Sequence, residues 1–253
     1  MVYLGIDQTG AVDSKGRPKP LSACLLDGKN FELKFIKCFD LGSIQAVFPQ
    51  LNPIQGVIGV DCVLGLPRAL KLDWREALKK TLEQEGYGRI SAKNYFRQLG
   101  QGKLYHREVE LQCQANSVFQ ELPFQKNIQT GTFRFWKEMA QNPDWFYAPW
   151  VLGEQGLSRV PVIEGYPSLA WKLLFQVRSR SPQKLSLLLR EFEPELDWSP
   201  SQQNEVERNP NFADALVLAL ALKRYWFPRM DLKPSVEGWI LGAVQSGPQS
   251  PSR

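Results

Sequence analysis

The sequence is poor in the residues that carry nitrogen- and sulfur-based metal chemistry. Its 253 residues hold one histidine, His106, and four cysteines, Cys24, Cys38, Cys62 and Cys113, with no CxxC pair among them. A histidine-rich metal site is thereby excluded, and a Ser-His-Asp relay would have to be built on His106 alone. The scattered cysteines supply neither a zinc site nor a disulfide framework. Cys24, Cys38 and Cys62 fall inside apolar, strand-like runs, where small buried thiols are common. Long apolar runs are missing as well: none reaches membrane-spanning length, and the opening MVYLGIDQTG has neither the basic nor the apolar region of a signal peptide. A cytoplasmic protein is the expectation. What remains for metal chemistry is carboxylate, and oxygen ligands favour Mg²⁺ or Mn²⁺ over zinc.

Charge is present in excess of one sign and in one place. The formal net charge is +5, and the stretch from Arg68 to Arg107 holds ten bases against four acids, a local surplus of +6 that accounts for all of it. Tyr87, Tyr95, Phe96 and Tyr105 are interleaved with those bases. Bases mixed with aromatics suit a polyanion with stackable rings, and Arg68, Lys93, Arg97 and Arg107 are the expected nucleic-acid contacts. A solvated helical surface explains the same composition.

The order of patterned segments predicts a fold. Val2 to Asp7 is a short apolar run ending in a carboxylate, followed by Gln8-Thr9-Gly10 and a polar, breaker-rich connection. Leu21 to Leu26 and Phe31 to Cys38 read as strands joined by a hairpin turn at Asp27–Asn30. Ser43 to Leu51 has helical spacing, and Gly56 to Val63 is a buried-strand run with a central aspartate. A basic, aromatic, helical stretch then runs from about 65 to 150, with helices expected at Asp73–Glu85, His106–Leu122 and Thr132–Gln141. Val160 to Ile163 returns to strand, and Ser168–Gln176, Pro182–Phe192 and Asn211–Phe227 read as helices. A meander of three strands and then a crossover to a parallel fourth is the ribonuclease H-like arrangement. The expectation is an α/β chain with a mixed five-stranded sheet in order 3-2-1-4-5, flanked by helices. It forms one domain over 1–245, with a helical basic insertion between strands four and five and a disordered tail at 246–253.

Four acids stand out by position. Asp7 ends strand one, Asp61 lies in strand four, Glu164 ends strand five and Asp214 opens the last long helix. In that strand order Asp7 and Asp61 are neighbours, Glu164 comes from the next strand, and a helix across the edge brings Asp214 to the same place. Converging carboxylates repel unless a cation neutralises them. Singly, Asp7 also fits an Asx-turn with Thr9 and Gly10, Glu164 a bare strand end, and Asp214 the positive end of its helix. Asp61, flanked by apolar residues in GVIGVDCVLGL, is harder to explain as structure. Together they read as the ligands of a catalytic metal.

The motifs GIDQTG at Gly5–Gly10, IGVDCVLGLP at Ile58–Pro67, VIEGYPSLAW at Val162–Trp171, ADALVLALAL at Ala213–Leu222 and EGWI at Glu237–Ile240 follow one another in that order. In this the chain resembles the nucleases predicted in the domain-of-unknown-function family 429, a branch of the ribonuclease H-like superfamily. The resemblance implies metal-dependent nuclease chemistry with Asp7, Asp61, Glu164 and Asp214 at the family's acidic positions. One departure is that Asn211-Phe212-Ala213 precedes Asp214, so a second nearby acid of some relatives is missing. Other residues weigh less. Lys15, Arg17 and Lys19 could touch phosphates from the loop after Asp7, His106 could donate a proton, and Tyr166, Pro167 and Trp171 read as packing around Glu164. Two other functions fit the pattern less fully. GIDQTG is similar to the phosphate turn of sugar kinases and actin-like proteins, but no second glycine-rich turn follows Val160. A non-catalytic nucleic-acid-binding module is the other alternative.

Overall fold

The first strand of the computed structural model, β1 (Val2–Asp7), lies in the middle of the sheet because its apolar residues face packed layers on both sides. The structure describes residues 1–7, 12–52, 55–120, 128–144, 146–148, 159–226, 233 and 235–243. The turn expected after Asp7 and the tail expected to be disordered at 246–253 lie outside these.

β1 pairs antiparallel with β2 (Leu21–Asp27), which pairs antiparallel with β3 (Asn30–Ile36) through a two-residue turn. In that turn Gly28 takes φ +61°, the left-handed conformation that such hairpins require at a central position. Helix α1 (Leu41–Val47), N-capped by the Asp40 carboxylate, carries the chain across to β4 (Gly56–Val60), which runs parallel to β1 on its other side. Beyond β4 comes β6 (Val160–Glu164), also parallel, and then a two-residue edge strand, β5 (Phe146–Tyr147). The order is β3-β2-β1-β4-β6-β5. The expected order 3-2-1-4-5 is therefore present, with one short strand added at the open edge.

Two hydrophobic layers sandwich this sheet. On one face lie α1, α2 (Trp74–Lys80), α3 (Arg89–Leu99) and α5 (Ile128–Gln141), with Trp74, Tyr95, Phe96 and Trp136 meeting edge to face and Phe133 tilted against Tyr95 among the buried residues. A short helix, α4 (Glu108–Cys113), lies between α3 and α5 in the chain. On the other face lie α6 (Pro167–Phe175), α7 (Leu185–Phe192), α8 (Pro200–Arg208) and α9 (Pro210–Tyr225). The basic segment thus supplies a core layer as well as surface. Among the described residues no helix is long and apolar enough to cross a membrane.

Several expected boundaries move for local reasons. The helix expected over Asp73–Glu85 starts after the Asp73 cap and tightens to a 3₁₀ turn at Thr81–Glu83. The helix expected over His106–Leu122 stops at Cys113, where Gln114 turns left-handed at φ +54°. Helix α8 was not expected, although Ser199 and Gln202 form a capping box ahead of it. Strand β3 ends at Ile36, which leaves Cys38 beyond it, half-buried and bonded to Asp40 and Ser43. All four cysteines are free.

Candidate metal and phosphate site

Three adjacent parallel strands, β1, β4 and β6, end in line, and each end carries an acid. Asp7 is the last residue of β1, Asp61 follows the last residue of β4, and Glu164 is the last residue of β6. Asp61 is not inside its strand as expected: β4 stops at Val60. The Asp61 N–H still donates to the Ile6 carbonyl at 3.0 Å, which seats Asp61 beside Asp7. Register does the same for Glu164, paired with Val60 across the next ladder. The carboxyl ends of parallel strands are where open α/β sheets place their ligands.

Asp214 arrives from above. Helix α9 crosses β1 so closely that a Cβ on Gly5 would lie 2.0 Å from the Ala215 carbonyl oxygen and 2.7 Å from the Ala219 nitrogen. Only glycine permits that approach, and it sets Asp214, the preceding residue, over the end of β1. Asp214 is the fifth residue of its helix, is 4% exposed, and does not serve the helix end as a capping charge would. Its oxygens accept from Trp171 Nε1 at 2.8 Å and from Arg180 Nη1 at 2.5 Å. Trp171, expected only to pack near Glu164, therefore holds Asp214.

The electrostatics follow from this crowding. Burial, and after it the charges of Asp61 and Asp214, push the Asp7 carboxyl well above the usual carboxylate range. Asp61 keeps part of its surface open to a cleft, yet its carboxyl is packed round by protein. That desolvation, reinforced by the charge of Asp214, raises it to about 7 against the pull of Arg180 and a hydrogen bond with Asp7. Each of the two carboxyls therefore bears on the titration of the other. Burial raises Asp214 as well, while Arg180 and Trp171 draw it back.

Glu164 has a different environment. Arg107 grips both its oxygens, Nη1 to Oε2 at 2.7 Å and Nη2 to Oε1 at 2.5 Å, and the Leu64 N–H adds a bond at 2.8 Å. Arg107 also binds Glu110 at 2.8 Å and the Glu237 carbonyl at 2.9 Å. Desolvation works against this guanidinium, but Glu164 and Glu110 hold it above its ordinary range. Burial raises Glu164 too, opposed by Arg107. Contrary to expectation, Arg107 is no surface contact for nucleic acid: it is 1% exposed, and two buried carboxylates satisfy its fork. Arg68, Lys93 and Arg97 are exposed, and none of them lines the cleft. Lys15, Arg17 and Lys19 are exposed as well.

The cleft holds about 280 Å³ and is walled by Asp61, Glu164, Arg107, Glu110, Asn116 and Arg180 among others. His106 stands beside it in sequence, with Nδ1 3.9 Å from Glu110 Oε2. The donor set of Asp7, Asp61 and Asp214 is all oxygen, which fits a hard divalent cation such as Mg²⁺ or Mn²⁺. As the side chains stand, Arg180 is the cation that opposes the charge of these acids. Among the described residues no three carboxylate, histidine or cysteine side chains are already arranged to hold a metal ion. Arg180, Trp171 and Glu237 are the residues that sequence reasoning left out of the site. Arg180 lies in a connection with no motif around it, so no local pattern marks it. No family model, curated protein or solved structure matches this chain.

Proposed function

We propose that the protein is a ribonuclease H-like, divalent-metal-dependent nuclease that hydrolyses phosphodiester bonds in DNA or RNA, related to the family 429 nucleases. One observation carries this reading. Asp7 and Asp61 meet at adjacent strand ends beneath a third carboxylate, Asp214, which a glycine-dependent helix crossing holds in place, and burial raises all three. Three buried carboxyls at one point are costly for a fold to keep unless they bind a cation.

Asp7, Asp61 and Asp214 would hold Mg²⁺ or Mn²⁺. Such an ion activates water and stabilises the leaving oxygen of a phosphodiester. Trp171 fixes the orientation of Asp214 by its indole N–H. Glu164, gripped by Arg107, keeps its carboxylate at the cleft wall and orders the chain at Leu64, just after Asp61. Asp61 is the most open of the four and lines the cleft that would receive substrate. The exposed bases Arg89, Lys93 and Arg97, spaced four residues apart along α3, suit contact with the sugar-phosphate backbone away from the cleft.

The test is cleavage of labelled single- and double-stranded DNA and RNA with Mn²⁺ by wild type, Asp7→Asn and Asp61→Asn. Wild type is expected to cut at least one substrate, and both variants to lose roughly 10²-fold or more of the rate. Equal activity in all three removes the assignment. The α3 bases favour a second reading, a nucleic-acid-binding module without catalysis, which retained salt-sensitive binding without any metal affinity would support.

A further inference from the structure

Two arginines face the acids of this site, and they differ in how completely they are held. Arg107 is 1% exposed, and its three guanidinium nitrogens bond to Glu110, Glu164 and the Glu237 carbonyl. Arg180 has a side chain 49% exposed, and among the described residues it makes a single hydrogen bond, from Nη1 to Asp214 Oδ2. A guanidinium carries five N–H donors in a planar fork, so most of the Arg180 fork faces away from Asp214. It stands in the connection between α6 and α7 and lines the same cleft as Asp61.

We propose that Arg180 is a mobile counter-ion of the acid cluster that moves from Asp214 to a phosphate of the bound nucleic acid when a divalent cation takes its place. The idea rests on the nuclease reading above. One observation and two physical consequences lead to it. The same guanidinium acts on Asp7, Asp61 and Asp214, so it and a cation at those oxygens draw on one pool of negative charge. The loss of that charge to a cation weakens the hold on Arg180 without closing the cleft around it. A phosphate in the cleft then offers two oxygens to a fork that Asp214 engages through one nitrogen, and arginine binds such anions bidentately. Arg107 cannot take this role, because its fork is already filled.

The proposal makes the two affinities move in opposite directions. Calorimetric titration with Mn²⁺ would compare wild type, Arg180→Gln and Arg180→Lys. A second titration would use a short labelled oligonucleotide in Ca²⁺, chosen to limit turnover. Arg180→Gln is expected to bind Mn²⁺ roughly tenfold tighter, a factor worth about 1.4 kcal/mol, and the oligonucleotide roughly tenfold weaker. Arg180→Lys keeps the charge and loses the fork, so it should bind Mn²⁺ like wild type and still bind the oligonucleotide weakly. Unchanged or weaker Mn²⁺ binding by Arg180→Gln overturns the counter-ion role, and unchanged oligonucleotide binding overturns the phosphate role. If wild type itself binds no Mn²⁺, the nuclease reading fails, which separates that failure from this one.

Discussion

Asp61 shows how a single side chain links stability to function. Its carboxyl titrates near 7 in the folded chain, whereas an unperturbed aspartate titrates at about 3.9. Between those values the folded state holds a proton that the unfolded state has released. Stability therefore falls as pH rises through about 4 to 7, and the full cost is present above that window. Asp61→Asn removes the acid, so its melting temperature should exceed that of wild type at about pH 8 and vary less between about pH 5 and 8. Added Mn²⁺ should raise the wild-type melting temperature at the upper end and leave that of Asp61→Asn nearly unchanged. A wild-type profile as flat as that of the variant would show that Asp61 is ionised normally.

Arg107 makes the opposite case, in which sequence misled. Its neighbours Lys103, Tyr105 and His106 read as a basic, aromatic surface, and nothing local says that Glu164, 57 residues on, will bury it. Removing one partner of a buried ion pair leaves the other charge uncompensated, at a cost of about 3–5 kcal/mol. Arg107→Met should therefore lower the urea midpoint strongly. Arg107→Met combined with Glu110→Leu and Glu164→Leu should restore much of that stability, because no stranded charge remains. If the triple variant is the less stable, the cluster is a net source of stability rather than a device that fixes geometry.

At the scale of elements, the β1–β4 order was legible because strands β1 to β4 follow one another closely in the chain, although the β1–β2 connection is long. A hairpin and one helix leave few ways to arrange them. The helical layers were less so: α8 is polar on most of its length, with Val206 its only buried residue, and carries little periodic signal. The decisive contact for the site, α9 on β1, is visible in sequence only as Gly5, whose lack of a side chain has meaning once Ala215 is known to lie against it. Gly5→Ala would force backbone atoms apart, since its Cβ meets a carbonyl oxygen and a nitrogen rather than a flexible chain end. The expected cost is about 1–3 kcal/mol, measured by denaturant unfolding. A separate consequence is weaker Mn²⁺ binding even where the variant stays folded, because Asp214 rides on the displaced helix. A folded Gly5→Ala protein with wild-type Mn²⁺ affinity would show that Asp214 does not share the ion with Asp7.

Across the whole molecule, the charge surplus and the acid cluster occupy different surfaces, and this division has a measurable consequence. The segment from Arg68 to Arg107 buries Trp74, Tyr95 and Phe96 against the sheet and leaves Arg89, Lys93 and Arg97 on the outer side of α3. Composition alone could not separate those roles, since bases and aromatics alternate in the chain and sort to opposite faces only when α3 packs. Of the four aromatics expected to stack on bases, Tyr95 and Phe96 are core residues and Tyr105 packs against that core, so the proposed nucleic acid would meet mostly charge on this face. Charge of this kind acts through counterion release, so its signature is salt dependence rather than sequence preference. Replacing Arg89, Lys93 and Arg97 together with Gln should lower affinity for a long duplex or single strand at low salt. It should also reduce the slope of log K against log salt by up to about 0.9 for each duplex DNA phosphate that is no longer neutralised. Melting temperature should move little, because exposed substitutions usually change stability by about 0.5 kcal/mol or less. The cleft acids are untouched, so the rate of cleavage at saturating substrate should hold while the substrate concentration needed rises. A slope equal to that of wild type would place the nucleic-acid path elsewhere, with Arg180 and the cleft rim the remaining cationic surface beside the acids.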